Sequence, residues 1–188
     1  MGFSWMHAHC PQARYVMKTD TDMFINTAAM MDYITQTEQG VPRMMGECYH
    51  KHAAVNRNES DKWYVSWDQY PDSSYPPYCC GCGYVITGTA AYDLADVIRW
   101  LPLFPIEDAF IGVAVTRLGY HVDITQDNEP GDGWTSQNRF ATRYWFQYNQ
   151  LDFCDRIRRG RTLTVHQAPY YRLVNLWRNC SYTGTSFL

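Results

Sequence analysis

Near its amino terminus the chain reads Lys18-Thr19-Asp20-Thr21-Asp22-Met23-Phe24-Ile25-Asn26, directly after the apolar run Tyr15-Val16-Met17. We predict that the apolar run is a buried strand that delivers Asp20 and Asp22 to the edge of a sheet, where open α/β sheets bind ligands. The acids are two residues apart, so in extended backbone both side chains point to one side. Such paired carboxylates suit Mg²⁺ or Mn²⁺ held jointly with substrate phosphates. For an isolated pair, a solvated turn is the simpler interpretation.

The composition is that of a globular domain. The chain has 188 residues, of which 46% are hydrophobic and 19% charged, enough for one domain with a sizeable core. A net charge of −3 without a basic block argues against nucleic acid as the main partner. Neither a signal peptide nor a membrane-spanning run is visible. The fifteen Tyr, seven Trp and eight Phe suit a surface that stacks on sugars, although such rings also fill cores.

The cysteine content favours an oxidising compartment. Seven cysteines suggest disulfides whose connectivity cannot be deduced from the sequence, with one thiol left over. Two matches to the N-glycosylation pattern, Asn58-Glu59-Ser60 and Asn179-Cys180-Ser181, give mild support for a secretory route. The cysteines are Cys10, Cys48, Cys79, Cys80, Cys82, Cys154 and Cys180.

Alternating strand and helix signals predict one α/β domain over residues 1–188. Asn26 is expected to cap a helix over 27–37, and Gly40 to end it. Further helices are predicted over 89–101, capped by Thr89, and over 107–118, ended by Gly119. A last helix is predicted over 169–178. Strands are predicted over 13–17, 43–49, 83–87, 120–125 and 162–166, and residues 62–66 are β-prone.

Two further sites carry acid–base or ligand chemistry. Glu107 and Asp108 lie at a predicted helix N-terminus, where the helix dipole favours ionised carboxylates, and an ionised Asp that reaches a substrate hydroxyl can act as a general base. From position alone, ordinary enrichment of acids in a first helical turn is the favoured explanation. His166 ends a predicted strand, where a neutral imidazole could bind a metal, although a lone histidine is more often structural.

The run Cys79-Cys80-Gly81-Cys82-Gly83 allows two interpretations. It could form a redox site or, with His50 or His52 as further ligands, a zinc site, which would make the chain a small zinc protein. The chain has no second cysteine pair at finger-like spacing, so disulfide bonding with a tight glycine turn is favoured. The glycines would let the backbone approach a ligand closely.

Together these motifs resemble the β-1,3-galactosyl- and N-acetylglucosaminyltransferases of glycosyltransferase family 31. Five motifs follow in the family's order, which makes the resemblance specific although each motif alone is weak. They are the D-x-D strand 15–26, the aromatic loop 62–79, the glycine-rich turn 81–85, Glu107-Asp108-Ala109-Phe110-Ile111-Gly112, and Val165-His166 followed by Leu176-Trp177.

The resemblance implies a GT-A fold, a mixed sheet flanked by helices, and inverting transfer of galactose or N-acetylglucosamine from a UDP-sugar to a glycan on protein or lipid. Asp22 and His166 would bind Mn²⁺ or Mg²⁺, and Asp20 would lie near the ribose or a metal-bound water. Asp108, facing the same cavity, would be the base, with Glu107 positioning the acceptor or Asp108.

The resemblance also assigns residues to the nucleotide-sugar. Lys18 and Thr21 would bind it beside the acids, and the backbone at Gly81 and Gly83 would approach it. The aromatic side chains that would line the sugar site are Trp63, Tyr75 and Tyr78.

The chain departs from the family in two ways. Cys80 and Cys82 stand where relatives often have Ser and Gly, which would alter donor preference or add a disulfide. The chain is also expected to be the C-terminal part of a catalytic domain that lacks the first βα units. When complete, the protein would lie in the Golgi lumen as a type II membrane protein, held by an anchor outside this chain. The alternative function is an inactive relative that acts as a chaperone or carbohydrate-binding protein.

Overall fold

The structure is a computed structural model that describes residues 2–36, 40–49, 53–123, 140, 150–166 and 170–180, with the backbone only at 150–153 and 172. Its helices are α1 (Gly2–His9), α2 (Thr27–Gln36), α3 (Gly88–Val97), α4 (Glu107–Arg117), α5 (Gln150–Arg158) and α6 (Tyr170–Asn179). Its strands are β1 (Tyr15–Thr19), β2 (Phe24–Ile25), β3 (Arg43–Tyr49), β4 (Tyr78–Thr87), β5 (His121–Asp123) and β6 (Thr164–Val165). None of these helices combines the length and the apolar character needed to cross a bilayer. The chain forms two compact units, residues 1–18 with 40–130 and residues 19–39 with 131–188.

The first unit is built on a four-stranded sheet in the order β1-β4-β3-β5. β3 runs antiparallel to β4 and parallel to β5, so the sheet is mixed. The middle of β3, residues 44–48, is buried throughout, as expected of a strand that is covered on both faces. Helix α4 packs on β4 so closely that a Cβ at Gly112 would lie 2.4 Å from Cβ of Tyr78. The mixed sheet with flanking helices confirms the predicted α/β class.

The glycine-rich segment differs from its prediction. Residues 79–83 do not form a tight turn, because β4 runs without interruption from Tyr78 to Thr87. Two non-local contacts explain the strand: its pairing with β3, and a disulfide between Cys48 and Cys79 that joins the two strands. Residues 62–66, although β-prone, lie in turns and irregular backbone.

The predicted helices are found with small changes at their ends. α3 begins at Gly88 with Thr87 as its N-cap, not Thr89, and gives way after Val97 to a short 3₁₀ helix, Ile98–Trp100. The hydroxyl of Thr87 accepts a hydrogen bond from the Arg43 N–H at 3.0 Å instead of capping its own helix. α4 ends as predicted before Gly119, whose φ of 69° suits glycine.

The second unit has a two-stranded antiparallel sheet, β2 with β6, surrounded by α2, α5 and α6. Its core consists of Phe24, Ile157, Val165 and Leu176 with two cysteines. A disulfide between Cys154 and Cys180 joins α5 to the residue that follows α6. The helix α5 was not predicted, whereas α2 follows its prediction through the last described residue of the segment.

Candidate functional site

The pairing of β2 with β6 brings three predicted ligands together in the second unit. Phe24 lies opposite Val165, so Asp22, two residues before Phe24, comes beside His166, the residue after Val165. Oδ2 of Asp22 lies 3.6 Å from Nε2 of His166. With Asp20 these residues offer one ligand atom each, and the three atoms lie within 4.8 Å of one another. The structure therefore assembles two carboxylates and one imidazole from segments distant in sequence.

The environment of His166 is not that of an ordinary structural histidine. Its side chain is 16% exposed, whereas Asp22 is half exposed. Nδ1 of His166 is buried and has no hydrogen-bond partner among the described residues. Buried polar atoms are normally satisfied by a hydrogen bond. Two carboxylates and an imidazole suit Mn²⁺ or Mg²⁺, and three protein ligands leave positions for phosphate oxygens, so the residues fit such a cation.

Asn26 holds together the segments that carry this site, in addition to its predicted role as a helix cap. Its Oδ1 caps α2 by accepting a hydrogen bond from the Ala29 N–H at 3.4 Å. Its buried side-chain amide donates to the carbonyl of Ile157 at 2.9 Å and to that of Thr162 at 3.2 Å. One side chain thus joins β2, the start of α2, and the turn between α5 and β6.

Glu107 and Asp108 lie in the first unit at the N-terminus of α4. Oδ2 of Asp108 accepts a hydrogen bond from the Gly81 N–H at 3.1 Å, and its Oδ1 accepts one from the Ala109 N–H at 2.9 Å. Oε1 of Glu107 accepts a hydrogen bond from the Tyr84 hydroxyl at 2.6 Å. Both carboxylates are therefore held in defined orientations.

Lys18 connects this pair of acids to β4. Its Nζ donates a hydrogen bond to the carbonyl of Gly81 and lies 3.4 Å from Oε2 of Glu107. A Cβ at Gly81 would lie 3.4 Å from the side chains of both Glu107 and Asp108, so the absence of a side chain keeps this corner open. A cavity of about 800 Å³ is bounded by Lys18, Tyr84 and Glu107 together with apolar residues of α1. Of the two acids, Glu107 lines this cavity, and Asp108 is the next residue along α4.

The three aromatic residues assigned to the sugar site have different surroundings. Tyr78 is half-buried, and burial followed by the charge of Asp108 raises its pKa to about 12, so at neutral pH it is a phenol that can donate a hydrogen bond. Trp63 is 55% exposed, with Nζ of Lys62 4.4 Å above its ring. Tyr75 is 4% exposed and stacks on Phe104, which makes it a core residue.

The remaining assigned residues are Thr21 and Gly83. Thr21 is exposed in the turn between the two acids, where its hydroxyl is accessible. Gly83 is buried in β4, and its carbonyl would lie 3.1 Å from a Cβ at Gly46 of the neighbouring strand. That close approach explains the glycine at position 46. The ligand-binding roles of these residues stay predictions, as does the common cavity for Asp108 and the Asp22–His166 pair.

Arg57 organises the aromatic loop, a role that no sequence pattern indicated. Its guanidinium donates to the carbonyls of Val65 at 2.7 Å, Tyr70 at 2.8 Å and Asp72 at 2.7 Å. The same group lies 3.9 Å above the ring of Trp67. One arginine thus replaces the backbone pairing that a strand would have supplied. An arginine in a polar loop is so common that only the structure reveals this function.

The zinc-protein interpretation based on Cys79 is wrong, because Cys79 forms a disulfide with Cys48. His50 and His52, its other suggested ligands, lie outside the described residues. Three cysteines of the described part remain as thiols rather than one: Cys10, Cys80 and Cys82.

Comparison with known proteins agrees with these observations. Residues 1–126 match the family model described as Galactosyltransferase. The chain is 37% identical to human beta-1,3-galactosyltransferase 5 over an alignment of 126 residues. This alignment covers 65% of the chain and 39% of the relative. It is 28% identical to human beta-1,3-galactosyltransferase 2 over an alignment of 181 residues. That alignment covers 95% of the chain and 39% of the relative. The chain thus spans well under half the length of these relatives. Its mixed sheet flanked by helices is that of a GT-A-like domain, and the chain belongs to the galactosyltransferase family.

Proposed function

We propose that the chain is the catalytic part of an inverting, metal-dependent β-1,3-glycosyltransferase. The enzyme would move galactose or N-acetylglucosamine from a UDP-sugar to a hydroxyl of a glycan on a glycoprotein or glycolipid. Family membership supports the reaction class, and two similar proteins are named beta-1,3-galactosyltransferases. The observation that carries the proposal is the cluster of Asp20, Asp22 and His166 within 4.8 Å.

In this proposal the second unit binds the diphosphate of the UDP-sugar through a divalent cation, Mn²⁺ or Mg²⁺. Asp22 and His166 would be protein ligands, and Asp20 would bind the ribose or a water of the cation. When bound, the cation would neutralise the charge that develops on the leaving UDP. Both carboxylates are accessible to the nucleotide, because Asp20 and Asp22 are exposed. Thr21, between them, would add a hydroxyl contact.

Asp108 would act as the general base. Its carboxylate would take the proton of the acceptor hydroxyl as that oxygen bonds to the anomeric carbon, while the bond from this carbon to UDP breaks and its electron pair leaves with UDP. A single displacement inverts the anomeric centre and needs one base. Because Gly81 and Ala109 orient the carboxylate through their N–H groups, its position is fixed before the substrate arrives. Glu107 accepts a hydrogen bond from Tyr84 and pairs with Lys18. It would position the acceptor or Asp108 and would not take the proton.

The proposal includes a secretory location, the Golgi lumen. The disulfides Cys48–Cys79 and Cys154–Cys180 support it, because disulfides form and persist in oxidising compartments. Golgi enzymes meet both nucleotide-sugars and the glycans of passing proteins and lipids, which agrees with the proposed substrates.

Calorimetric titration with UDP in Mn²⁺ or in EDTA tests the metal role. We expect binding by the wild-type chain to depend on Mn²⁺, and Asp22→Ala to remove that dependence. Asp32→Ala is the matched control, since Asp32 is an exposed carboxylate on α2 outside the cluster. Equal affinity in Mn²⁺ and EDTA would show the metal assignment to be wrong. In the whole protein, transfer from UDP-galactose and UDP-N-acetylglucosamine to a panel of glycans, with the product linkage determined by NMR, tests the reaction itself.

A further inference from the structure

The pairing of β3 with β4 is irregular at one point. Gly46 lies opposite Tyr84 and Cys48 opposite Cys79, with the register shift between them. A single residue, Glu47, therefore faces the four residues Cys80–Gly83 of β4. Such bulges bend a strand and re-aim its side chains, and they are frequent beside functional sites. This one directs the side chains of two cysteines toward a carboxylate.

Glu47, Cys80 and Cys82 form a compact group of metal-ligating atoms. One carboxylate oxygen and the two Sγ atoms lie within 4.8 Å of one another. Glu47 and Cys82 are buried, at 7% and 3% exposure, whereas Cys80 is half-buried and leaves a path from solvent. Both cysteines are thiols, and the Cys82 N–H donates to Sγ of Cys80 at 3.4 Å.

The group concentrates acidic side chains where water is scarce. The hydrogen bond between the side chains of Cys80 and Cys82 raises the pKa of the Cys82 thiol, and burial and the charges of Cys80 and Glu47 raise it further. The same hydrogen bond lowers the pKa of the Cys80 thiol. Burial, followed by the charge of Glu47, raises the pKa of Tyr49. Burial disfavours the charged forms of these groups, and a bound cation would offset that cost. Buried charges in proteins are generally paired or bound to metals.

We propose that Glu47, Cys80 and Cys82 bind one Zn²⁺ ion. Two thiolates and a carboxylate form a donor set that zinc accepts, whereas the harder cations Mn²⁺, Mg²⁺ and Ca²⁺ disfavour thiolate ligands. Zinc is usually tetrahedral, so three protein ligands leave one position for water. The ion displaces the thiol protons as it binds, which makes its affinity fall at low pH. This site excludes the disulfide-bonded Cys79, and zinc binding can be tested without any assay of the proposed glycosyl transfer.

The ion would fix the conformation of the bulge. Gly81, between the two cysteines, donates its N–H to Asp108 and accepts a hydrogen bond from Lys18. A bulge held at both of its flanking cysteines therefore holds the backbone that orients Asp108. The ion would support Asp108 only through this backbone, since neither cysteine side chain forms a hydrogen bond with Glu107 or Asp108 among those that the structure describes.

Titration with Co²⁺ under nitrogen tests the proposal. The protein is the 188-residue chain with its disulfides Cys48–Cys79 and Cys154–Cys180 intact. Co²⁺ replaces Zn²⁺ in tetrahedral sites, and its thiolate complexes show a sulfur-to-cobalt charge-transfer band. We expect this band in the wild-type chain, its removal by added Zn²⁺, and its loss in Cys80→Ser. Cys10→Ser is the matched control, because Cys10 is the described thiol outside the group and should leave the band intact. Co²⁺ bound at Asp20, Asp22 and His166 has no sulfur ligand, so it cannot produce the band.

Metal analysis of the same proteins after Zn²⁺ loading and gel filtration gives a second measurement. Wild type and Cys10→Ser should retain zinc stoichiometrically, and Cys80→Ser should lose it. Circular dichroism checks that Cys80→Ser is folded. If the variant does not fold, the test uses the wild-type chain instead, and its charge-transfer band and zinc content are compared before and after alkylation of its thiols. The proposal is overturned if the wild-type chain shows no band, if Cys80→Ser or the alkylated chain keeps it, or if mass spectrometry finds Cys80 and Cys82 joined in a disulfide.

Discussion

Replacement of Asp108 by asparagine tests the proposed base with little change in shape. The carboxylate accepts hydrogen bonds at both oxygens, from the Gly81 N–H at 3.1 Å and from the Ala109 N–H at 2.9 Å. Asparagine has one acceptor oxygen, so its amide group must face one of these two N–H groups. The substitution therefore removes the basic oxygen and one hydrogen bond, and leaves the side-chain volume and the second hydrogen bond in place.

The two losses differ in size and in the quantity that they change. Loss of a general base costs about 10²- to 10⁴-fold in kcat, which is about 2.7–5.5 kcal/mol of transition-state stabilisation. Loss of one hydrogen bond to a charged group costs about 1.5–3 kcal/mol of folding free energy, and half-burial of Asp108 favours the lower value. Typical domains are stable by about 5–15 kcal/mol, so the variant should remain folded. Affinity for UDP and Mn²⁺ should be unchanged, because their proposed ligands are other residues.

Steady-state kinetics of the whole protein, with UDP–Mn²⁺ affinity measured by calorimetry, separates these effects. Glu107→Gln is the control, because glutamine can still accept the hydrogen bond of Tyr84 and loses only an ion pair with Lys18 at a half-exposed position. Such a pair is worth about 0–1 kcal/mol, so kcat should fall less than about tenfold. Near-normal turnover by Asp108→Asn, or an equal fall in Glu107→Gln, would refute the assignment of Asp108 as the base.

Three further results are expected from the fold. Asn26→Ala should lower the free energy of unfolding of the second unit by about 2–4 kcal/mol, because two buried carbonyls lose their donor; the exposed Asn58→Ala should change it little in the same urea titration. Replacement of Cys48 and Cys79 by Ser should cost about 3–4 kcal/mol, as loop-closure entropy gives for a sequence separation of 31. Tyr78 ionises in the unfolded chain near pH 10 but in the folded chain at about 12, so its contribution is complete below pH 10 and is lost as the pH rises to 12. Tyr78→Phe should therefore lessen the alkaline loss of stability, and an unchanged pH profile would contradict this.

Local signals account for the parts of the fold that the sequence predicted well. The helix α2 has Asn26 at its N-cap, and α4 has acids in its first turn and Gly119 after its end. These signals act within a few residues of the element that they define, so one sequence contains them completely. The strand β3 was predicted with its observed limits, Arg43–Tyr49.

The segment 79–83 was predicted wrongly because its conformation depends on distant residues. Glycine and cysteine in alternation indicate a turn locally, yet pairing with β3 and the disulfide to Cys48 extend it as a strand with a bulge. The same bulge brings Glu47 to Cys80 and Cys82. No spacing in the sequence relates these residues, since their proximity follows from a register shift. Only the structure reveals this group of ligands.

The pairing of Asp22 with His166 was likewise reached through the family resemblance rather than through any pattern of residues. The two strands that bring them together have two residues each, and a pair so short is not stable alone in water. Their stability must come from the packing of Phe24 and Val165 in the core of the second unit and from the buried amide of Asn26. The run from Asp20 to Asn26 therefore supplies the two carboxylates of the site and residues that hold them in place. A substitution that loosens this core should weaken metal binding even though every ligand is retained.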